Sequence, residues 1–141
     1  MATDATDELV ITRIFEAPRE LVYQAFTDPD QVARWFGPVG FSVPRDTVDI
    51  DARVGGQLRF TMVSDDDPDM ASPVDATFSE VVENELLVGT EGDERMRLEF
   101  HDQDGQTRLV LRQGPFTEEM RDMTRTGWHS SFTKLDDLLA G

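Results

Sequence analysis

The sequence lacks cysteine, contains a single lysine and has no long apolar run. Without cysteine the chain can form neither a disulfide nor a thiolate metal site, and it has no thiol nucleophile. No stretch approaches the roughly 18 apolar residues that a transmembrane helix needs. The first ten residues are acidic and lack the apolar region of a secretory signal peptide, so we expect a cytoplasmic protein.

Basic charge is also scarce. Lysine and arginine together number 13 against 29 aspartates and glutamates, which gives a net charge of -16 in 141 residues. Such a chain repels phosphate backbones and anionic lipids, so we expect neither nucleic acid nor a membrane as a partner. Disorder is the alternative explanation, but a hydrophobic content of 38% with clear periodicity argues against it. Because about 1 M salt shortens the Debye length to about 3 Å, we interpret the acidic surface as halophilic.

The longest regular pattern lies at the end of the chain, in residues 117–140. Thr117 is the predicted N-cap of a helix, and two glutamates follow in the first turn, where carboxylates suit the helix dipole. Apolar side chains then recur in steps of three and four at Met120, Met123, Trp128, Phe132, Leu135, Leu138 and Leu139. One long helix with one apolar stripe needs a large surface to cover it, and a curved sheet supplies such a surface.

The rest of the chain predicts strands, with two short helices after the first strand. The predicted strands span 8–16, 42–51, 57–63, 74–83, 86–91, 95–102 and 107–113, and the short helices span 19–27 and 30–36. The phase of the fourth strand slips before Val81, which indicates a bulge. Asp104-Gly105 predicts a two-residue hairpin. We therefore expect one α+β domain over residues 1–141, a curved antiparallel sheet of about six to seven strands wrapped around the C-terminal helix.

Residues 12–41 resemble the opening of the Aha-type homologues of the activator of the heat-shock chaperone ATPase, in the START-like, helix-grip (SRPBCC) superfamily. The matching pieces are Arg13, Ala17-Pro18, Thr27-Asp28-Pro29, Arg34-Trp35-Phe36-Gly37-Pro38, and further on Val54-Gly55-Gly56 and Gly127-Trp128. The resemblance covers nearly the whole chain and implies a helix-grip fold with a ligand cavity between helix and sheet. Members bind apolar small molecules, act as cyclases or hydrolases, or assist a chaperone. The chaperone activators proper carry a further N-terminal domain without a counterpart in these residues, so we do not expect a chaperone partner from the family name alone.

The resemblance also suggests which side chains line the cavity. The candidates are aromatic residues, methionines and one threonine, because such side chains form adaptable apolar walls: Trp35, Phe36, Phe60, Met62, Phe78, Phe100, Met120, Met123, Thr124 and Trp128. Ordinary core packing is the alternative for each of them. Gly127 lies within the helix, which indicates either a close approach to the sheet or space left for a ligand. Thr124 is the best candidate for a polar group that orients a ligand, although threonines in helices often bond to their own backbone. Glu80 and Gln113 are weaker candidates.

Catalytic and metal-binding patterns are weak. His101 and His129 are the only histidines, and the sequence shows no nucleophile elbow, phosphate loop or histidine pair. Asp65, Asp67 and Asp69 begin a calcium-loop pattern, but Met70 stands where that loop needs glycine. We expect a solvated acidic loop, and neither a metal nor a cofactor.

Three functions therefore stay open. The first is the binding of an apolar small molecule in the cavity, the second is a cyclase or hydrolase that uses the same cavity, and the third is a co-chaperone or other protein-interaction module. We rank binding first because no catalytic constellation is visible. A homodimer through exposed sheet or mouth residues is one arrangement that the sequence allows.

Overall fold

Eight strands and three α-helices make up residues 8–141, the part of the chain that this computed structural model describes. The strands are β1 (Leu9–Phe15), β2 (Phe41–Ser42), β3 (Asp49–Ile50), β4 (Gln57–Ser64), β5 (Ala71–Val82), β6 (Leu86–Glu91), β7 (Glu94–Gln103) and β8 (Gln106–Gly114). The helices are α1 (Arg19–Thr27), α2 (Pro29–Trp35) and α3 (Glu118–Ala140). No helix in this part of the chain is long and apolar enough to cross a membrane.

The strands form one curved antiparallel sheet in the order β1-β8-β7-β6-β5-β4-β2, with β3 also paired to β4. Consecutive strands from β4 to β8 are neighbours, so this region is a meander, and β1 adds to its far edge. The α+β helix-grip class predicted from the sequence is confirmed. The predicted bulge is confirmed as a register shift between Phe78 and Glu80. The hairpin at Asp104-Gly105 is also confirmed, with φ of 56° and 86°.

Helix α3 lies across the concave face of the sheet. The hydroxyl of Thr117 accepts a hydrogen bond from the backbone N–H of Met120 at 3.2 Å, which confirms the predicted N-cap. Trp128, Phe132 and Leu135 are buried against the sheet. The Phe132 ring meets the Phe15 ring edge to face, with 5.3 Å between ring centroids. This half of the helix packs into the main hydrophobic core.

Arg13 on β1 adds a polar link to α3. Its guanidinium carbon lies 4.9 Å from the centroid of the Phe15 ring and 5.5 Å from that of Phe132. The same guanidinium forms an ion pair with Asp136. Stacking and charge pairing together fix the C-terminal half of α3 on the edge strand of the sheet.

The predicted strand 42–51 is wrong as a single element. The structure contains β2 and β3 at its two ends and a 3-10 turn, Arg45–Thr47, between them. Pro44 precedes the turn, and its carbonyl accepts hydrogen bonds from the N–H of Thr47 at 3.0 Å and from the Thr47 hydroxyl at 2.7 Å. Because proline cannot donate to a strand ladder, the chain turns at this point.

Candidate ligand-binding cavity

A cavity of about 320 Å³ lies between the concave face of the sheet and α3. Its floor comes from alternate residues of β4 to β8, which point to the same face because the side-chain period of a strand is two. Its other walls come from α3, from the two short helices and from the residues that follow α2. Its volume lies at the lower end of the range of about 300–1,000 Å³ that small-molecule sites occupy.

Small residues leave this space open. A Cβ atom added to Gly127 would have no heavy atom within 4 Å. Gly127 therefore marks open space, which excludes the close approach to the sheet that the sequence also allowed. On the floor, Gly89 pairs with Phe78 on one side and with Met96 on the other. A glycine in a strand leaves room that a larger side chain would fill.

Six of the ten candidates named from the sequence line the cavity. They are Phe36, Phe60, Met62, Phe78, Thr124 and Trp128. The rings of Phe36 and Phe60 are 4.7 Å apart between centroids, and those of Phe36 and Trp128 are 5.3 Å apart. Phe36 therefore links the sheet wall to the helix wall.

Trp35 and Phe100 lie in the core and not in the cavity wall, which corrects their sequence-based placement. Trp35 is fully buried, and its indole N–H donates to the carbonyl of Ala25 at 2.8 Å. Phe100 is 1% exposed and meets the rings of Tyr23 and Phe26 edge to face, at 5.4 and 5.6 Å. Both residues fill the space between the sheet and the two short helices, so the alternative of ordinary core packing describes them.

Met120 and Met123 also lie outside the cavity, and they are 48% and 61% exposed. A helix turns about 100° per residue, so Met123 points about 140° away from Trp128 and Met120 about 80° away. The spacing of three and four residues ran correctly through Trp128, Phe132 and Leu135. The same spacing does not hold towards the start of the helix, where Met120 and Met123 lie off the buried face.

The strands contribute cavity residues that were not named as candidates. The apolar ones are Leu58, Val74, Ala76, Leu87, Met96 and Leu98, and the short helices and the following loop add Phe26, Val32, Gly37 and Pro38. The alternation within the predicted strands could have identified most of the strand residues, because they share a face with Phe60 or Phe78. The missing step was the strand register, which the sequence alone does not supply.

One end of the cavity is polar. The indole N–H of Trp128 donates to Oε1 of Gln113 at 2.8 Å, and Nε2 of Gln113 donates to Oε2 of Glu94 at 2.7 Å. All three residues line the cavity. Gln113, a weaker candidate from the sequence, is therefore the central member of a row of hydrogen-bonded side chains that connects α3, β8 and β7.

Two other polar candidates are used differently. The Thr124 hydroxyl donates to the carbonyl of Met120 at 2.7 Å, as threonines in helices often do, so its proton is engaged within α3. Glu80 is exposed, and it pairs with Arg95 at 3.5 Å rather than with the cavity.

Residues 37–41, which we call the mouth loop, are attached to α3 at two points. The backbone N–H of Val39 donates to the Ser130 hydroxyl at 2.8 Å. Nζ of Lys134 donates to the carbonyl of Phe41 at 3.1 Å. Desolvation lowers the pKa of Lys134, and the nearby Asp65 partly opposes that shift. Because Gly37 and Pro38 line the cavity, these bonds hold part of its wall in place.

Neither histidine lines the cavity. His129 is exposed, and His101 lies 2.9 Å from Oε1 of Glu99. The acidic loop between β4 and β5 is exposed and forms local bonds, including one from the Asp69 N–H to Asp67 at 3.1 Å. Among residues 8–141 no group of three acidic or histidine side chains is arranged to hold a metal ion.

Residues 16–140 match the sequence profile of a family described as "Activator of Hsp90 ATPase homolog 1-like protein". The chain belongs to this family. The resemblance read from Arg13 to Pro38 and from Gly127-Trp128 is thereby confirmed. No curated protein matches the chain in sequence.

Solved structures resemble this one over almost their full length. A protein from Chromobacterium violaceum is 25% identical with a TM-score of 0.86, covering 95% of this chain and 98% of the other. A protein from Nitrosomonas europaea is 22% identical with a TM-score of 0.84, covering 98% and 97%. An AHSA1 protein from Silicibacter pomeroyi is 24% identical with a TM-score of 0.79, covering 94% and 97%. At these identities the likeness supports the fold.

Proposed function

We propose that this protein binds a hydrophobic small molecule in the cavity between α3 and the sheet. The observation that carries the proposal is the open space beside Gly127, which faces a preformed cavity lined mainly by apolar side chains. A glycine within a helix costs about 1 kcal/mol relative to alanine. Nothing in the packing around Gly127 requires a glycine, and the space that a larger side chain would fill there stays available to a ligand.

The aromatic wall supports the same proposal. Phe36, Phe60 and Trp128 present rings around the space without filling it. Burial of apolar ligand surface against such rings contributes about 25 cal/mol per Å². Cavities of this kind bind largely apolar molecules and use a few polar groups to orient them. The polar groups supplied here are the hydrogen-bonded side chains of Trp128, Gln113 and Glu94.

Native mass spectrometry at high salt concentration tests the proposal. The purified protein is sprayed from concentrated ammonium acetate, first alone and then with N-phenyl-1-naphthylamine, an uncharged apolar dye. We expect one bound molecule for each chain, either a compound retained from purification or the added dye. Gly127→Phe should remove this adduct because the new ring occupies the cavity.

Thr126→Phe is the matched control. Thr126 neighbours Gly127 in α3 but is exposed, so the same ring added there should leave the adduct unchanged. Equal adducts in all three proteins would place the bound molecule elsewhere and contradict the proposal. The mass spectrum also reports whether the protein is a homodimer.

The enzyme alternative uses the same cavity and makes a different prediction. A cyclase or hydrolase would convert the bound compound, and Gln113→Leu would remove that turnover while binding of the apolar portion persisted. A co-chaperone would bind its protein partner equally well when Gly127→Phe fills the cavity. These outcomes separate the three functions.

A further inference from the structure

We propose that the ligand carries a protonated amine at one end, held by Glu91 and Glu94 at the polar end of the cavity. This inference rests on the proposed function and specifies the class of ligand: an apolar body with a cationic head. It follows from where the charges around the cavity are placed and from which charge is missing there.

Glu91 and Glu94 face each other directly across the β6-β7 hairpin, and both line the cavity. Like charges that are directly opposite in adjacent strands destabilise a sheet. The hairpin nevertheless brings these two carboxylates together at the edge of an apolar space, where Glu91 is exposed and Glu94 is half-buried. Among residues 8–141 no basic side chain forms an ion pair with either of them. A ligand cation between them would neutralise the repulsion.

One oxygen of each carboxylate is already fixed. Oε2 of Glu91 accepts the backbone N–H of Asp75 at 3.0 Å, and Oε2 of Glu94 accepts Nε2 of Gln113 at 2.7 Å. The Gln113 amide is oriented in turn by the indole N–H of Trp128. The two carboxylates are therefore positioned before a ligand arrives, and each retains a second oxygen that can accept a hydrogen bond from an ammonium group.

Among residues 8–141, no arginine, lysine or histidine lines the cavity. Arg95, the residue after Glu94, pairs with Glu80 outside the cavity. A fatty acid or another anionic amphiphile would bring its carboxylate against two fixed carboxylates with no counter-charge. The site therefore selects against anions and favours an ammonium head, whose hydrogen bonds to a carboxylate are charge-assisted.

Competition with three ligands of equal chain length tests this inference. The displacement of N-phenyl-1-naphthylamine by octylammonium, octanol and octanoate is measured for the wild-type protein and for the double variant Glu91→Gln/Glu94→Gln. The measurements are made in 1 M KCl, so that the net charge of the protein is screened. We expect octylammonium to bind about ten-fold more tightly than octanol, and octanoate to bind more weakly than octanol. In the double variant the three affinities should converge.

Glu119→Gln/Glu85→Gln is the control, because both residues are exposed, as Glu91 is, but neither of them lines the cavity. It should keep the wild-type order of affinities. A preference for octylammonium that survives in Glu91→Gln/Glu94→Gln would overturn the inference, as would equal affinities in the wild-type protein. In both cases dye binding would still support the proposed function. Failure of the dye and of all three ligands to bind would overturn both.

Discussion

The indole N–H of Trp128 on α3 donates to Oε1 of Gln113 on β8 at 2.8 Å. This bond joins the long helix to the sheet at the polar end of the cavity. Trp128 is only 7% exposed, so its N–H has little access to water. A buried donor without a partner costs about 1–3 kcal/mol, and the bond therefore matters to the folded state as well as to the site.

We predict that Gln113→Leu lowers the free energy of unfolding by about 1–3 kcal/mol, because it leaves the Trp128 N–H buried without its acceptor. Chemical denaturation followed by circular dichroism measures this change. In a Trp128→Phe background the same substitution should cost less, since no indole N–H remains. Gln103→Leu, at an exposed position on β7, is the control and should change stability little. Equal costs in both backgrounds would show that the bond does not contribute.

The attachment of the mouth loop to α3 predicts an effect on binding kinetics. Ser130→Ala and Lys134→Met each remove one bond to the segment 39–41, and each such bond contributes about 1 kcal/mol. We expect association and dissociation of N-phenyl-1-naphthylamine to become roughly five-fold faster in stopped-flow measurements, with a smaller change in affinity.

Thr133→Ala is the matched control for these kinetics, because the Thr133 hydroxyl bonds within α3, to the carbonyl of Ser130 at 2.6 Å. Rates in Ser130→Ala and Lys134→Met that equal those of this control would show that the mouth loop does not limit ligand entry.

The lowered pKa of Glu99 leads us to predict part of the pH dependence of the free energy of unfolding. Hydrogen bonds from Arg97, at 2.8 Å, and from His101 lower the pKa of Glu99 below its ordinary value. A carboxyl whose pKa is lower in the folded state stabilises the fold above its unfolded pKa of about 4.3, and this contribution disappears as the pH falls through the folded pKa. Glu99→Gln should therefore lose less stability than the wild-type protein between pH 7 and acid. The difference should be about 1 kcal/mol or less, because the pair lies near the surface.

Thermal unfolding at several pH values measures that difference. Glu85→Gln, which replaces an exposed glutamate in the turn before β6, controls for the loss of one charge. Identical acid sensitivity of Glu99→Gln and the wild-type protein would contradict the assignment.

The acidic surface predicts salt-dependent stability. With a net charge of -16, self-repulsion destabilises the folded chain in dilute buffer, and molar KCl screens it. We expect the melting temperature to rise by several degrees or more between 10 mM and 2 M KCl. A melting temperature that stays constant over this range would contradict a halophilic surface.

The fold was predictable because its local signals agree with one another. The N-cap at Thr117, the hairpin at Asp104-Gly105 and the alternation of the strands all point to the same arrangement, and the resemblance supplied the topology. The segment 42–51 was not predictable as a broken strand from its apolar content. Pro44 was the available signal, and a single proline there is compatible with an edge strand as well as with a turn.

The cavity was predictable in part. Phe60, Met62 and Phe78 could be placed from strand alternation, because one face of each strand had to meet α3. Trp35 was misplaced, since a tryptophan near a loop can equally line a mouth or fill a core, and only the Ala25 carbonyl, ten residues away in the sequence, shows which. Of the polar end only Gln113 was named from the sequence, as a weaker candidate, because Glu94 and Gln113 meet through the β7-β8 pairing, which requires the register of two strands.

A graded substitution at Gly127 tests the central claim most directly. The affinity for N-phenyl-1-naphthylamine is measured by fluorescence titration for the wild-type protein and for Gly127→Ala, Gly127→Met and Gly127→Phe, with unfolding measured in parallel. We predict that Gly127→Ala stabilises the protein by about 1 kcal/mol and binds nearly as well as the wild type, that Gly127→Met binds more weakly, and that Gly127→Phe does not bind. Equal affinity across the folded members of the series would show that the space between α3 and the sheet is not where the ligand binds.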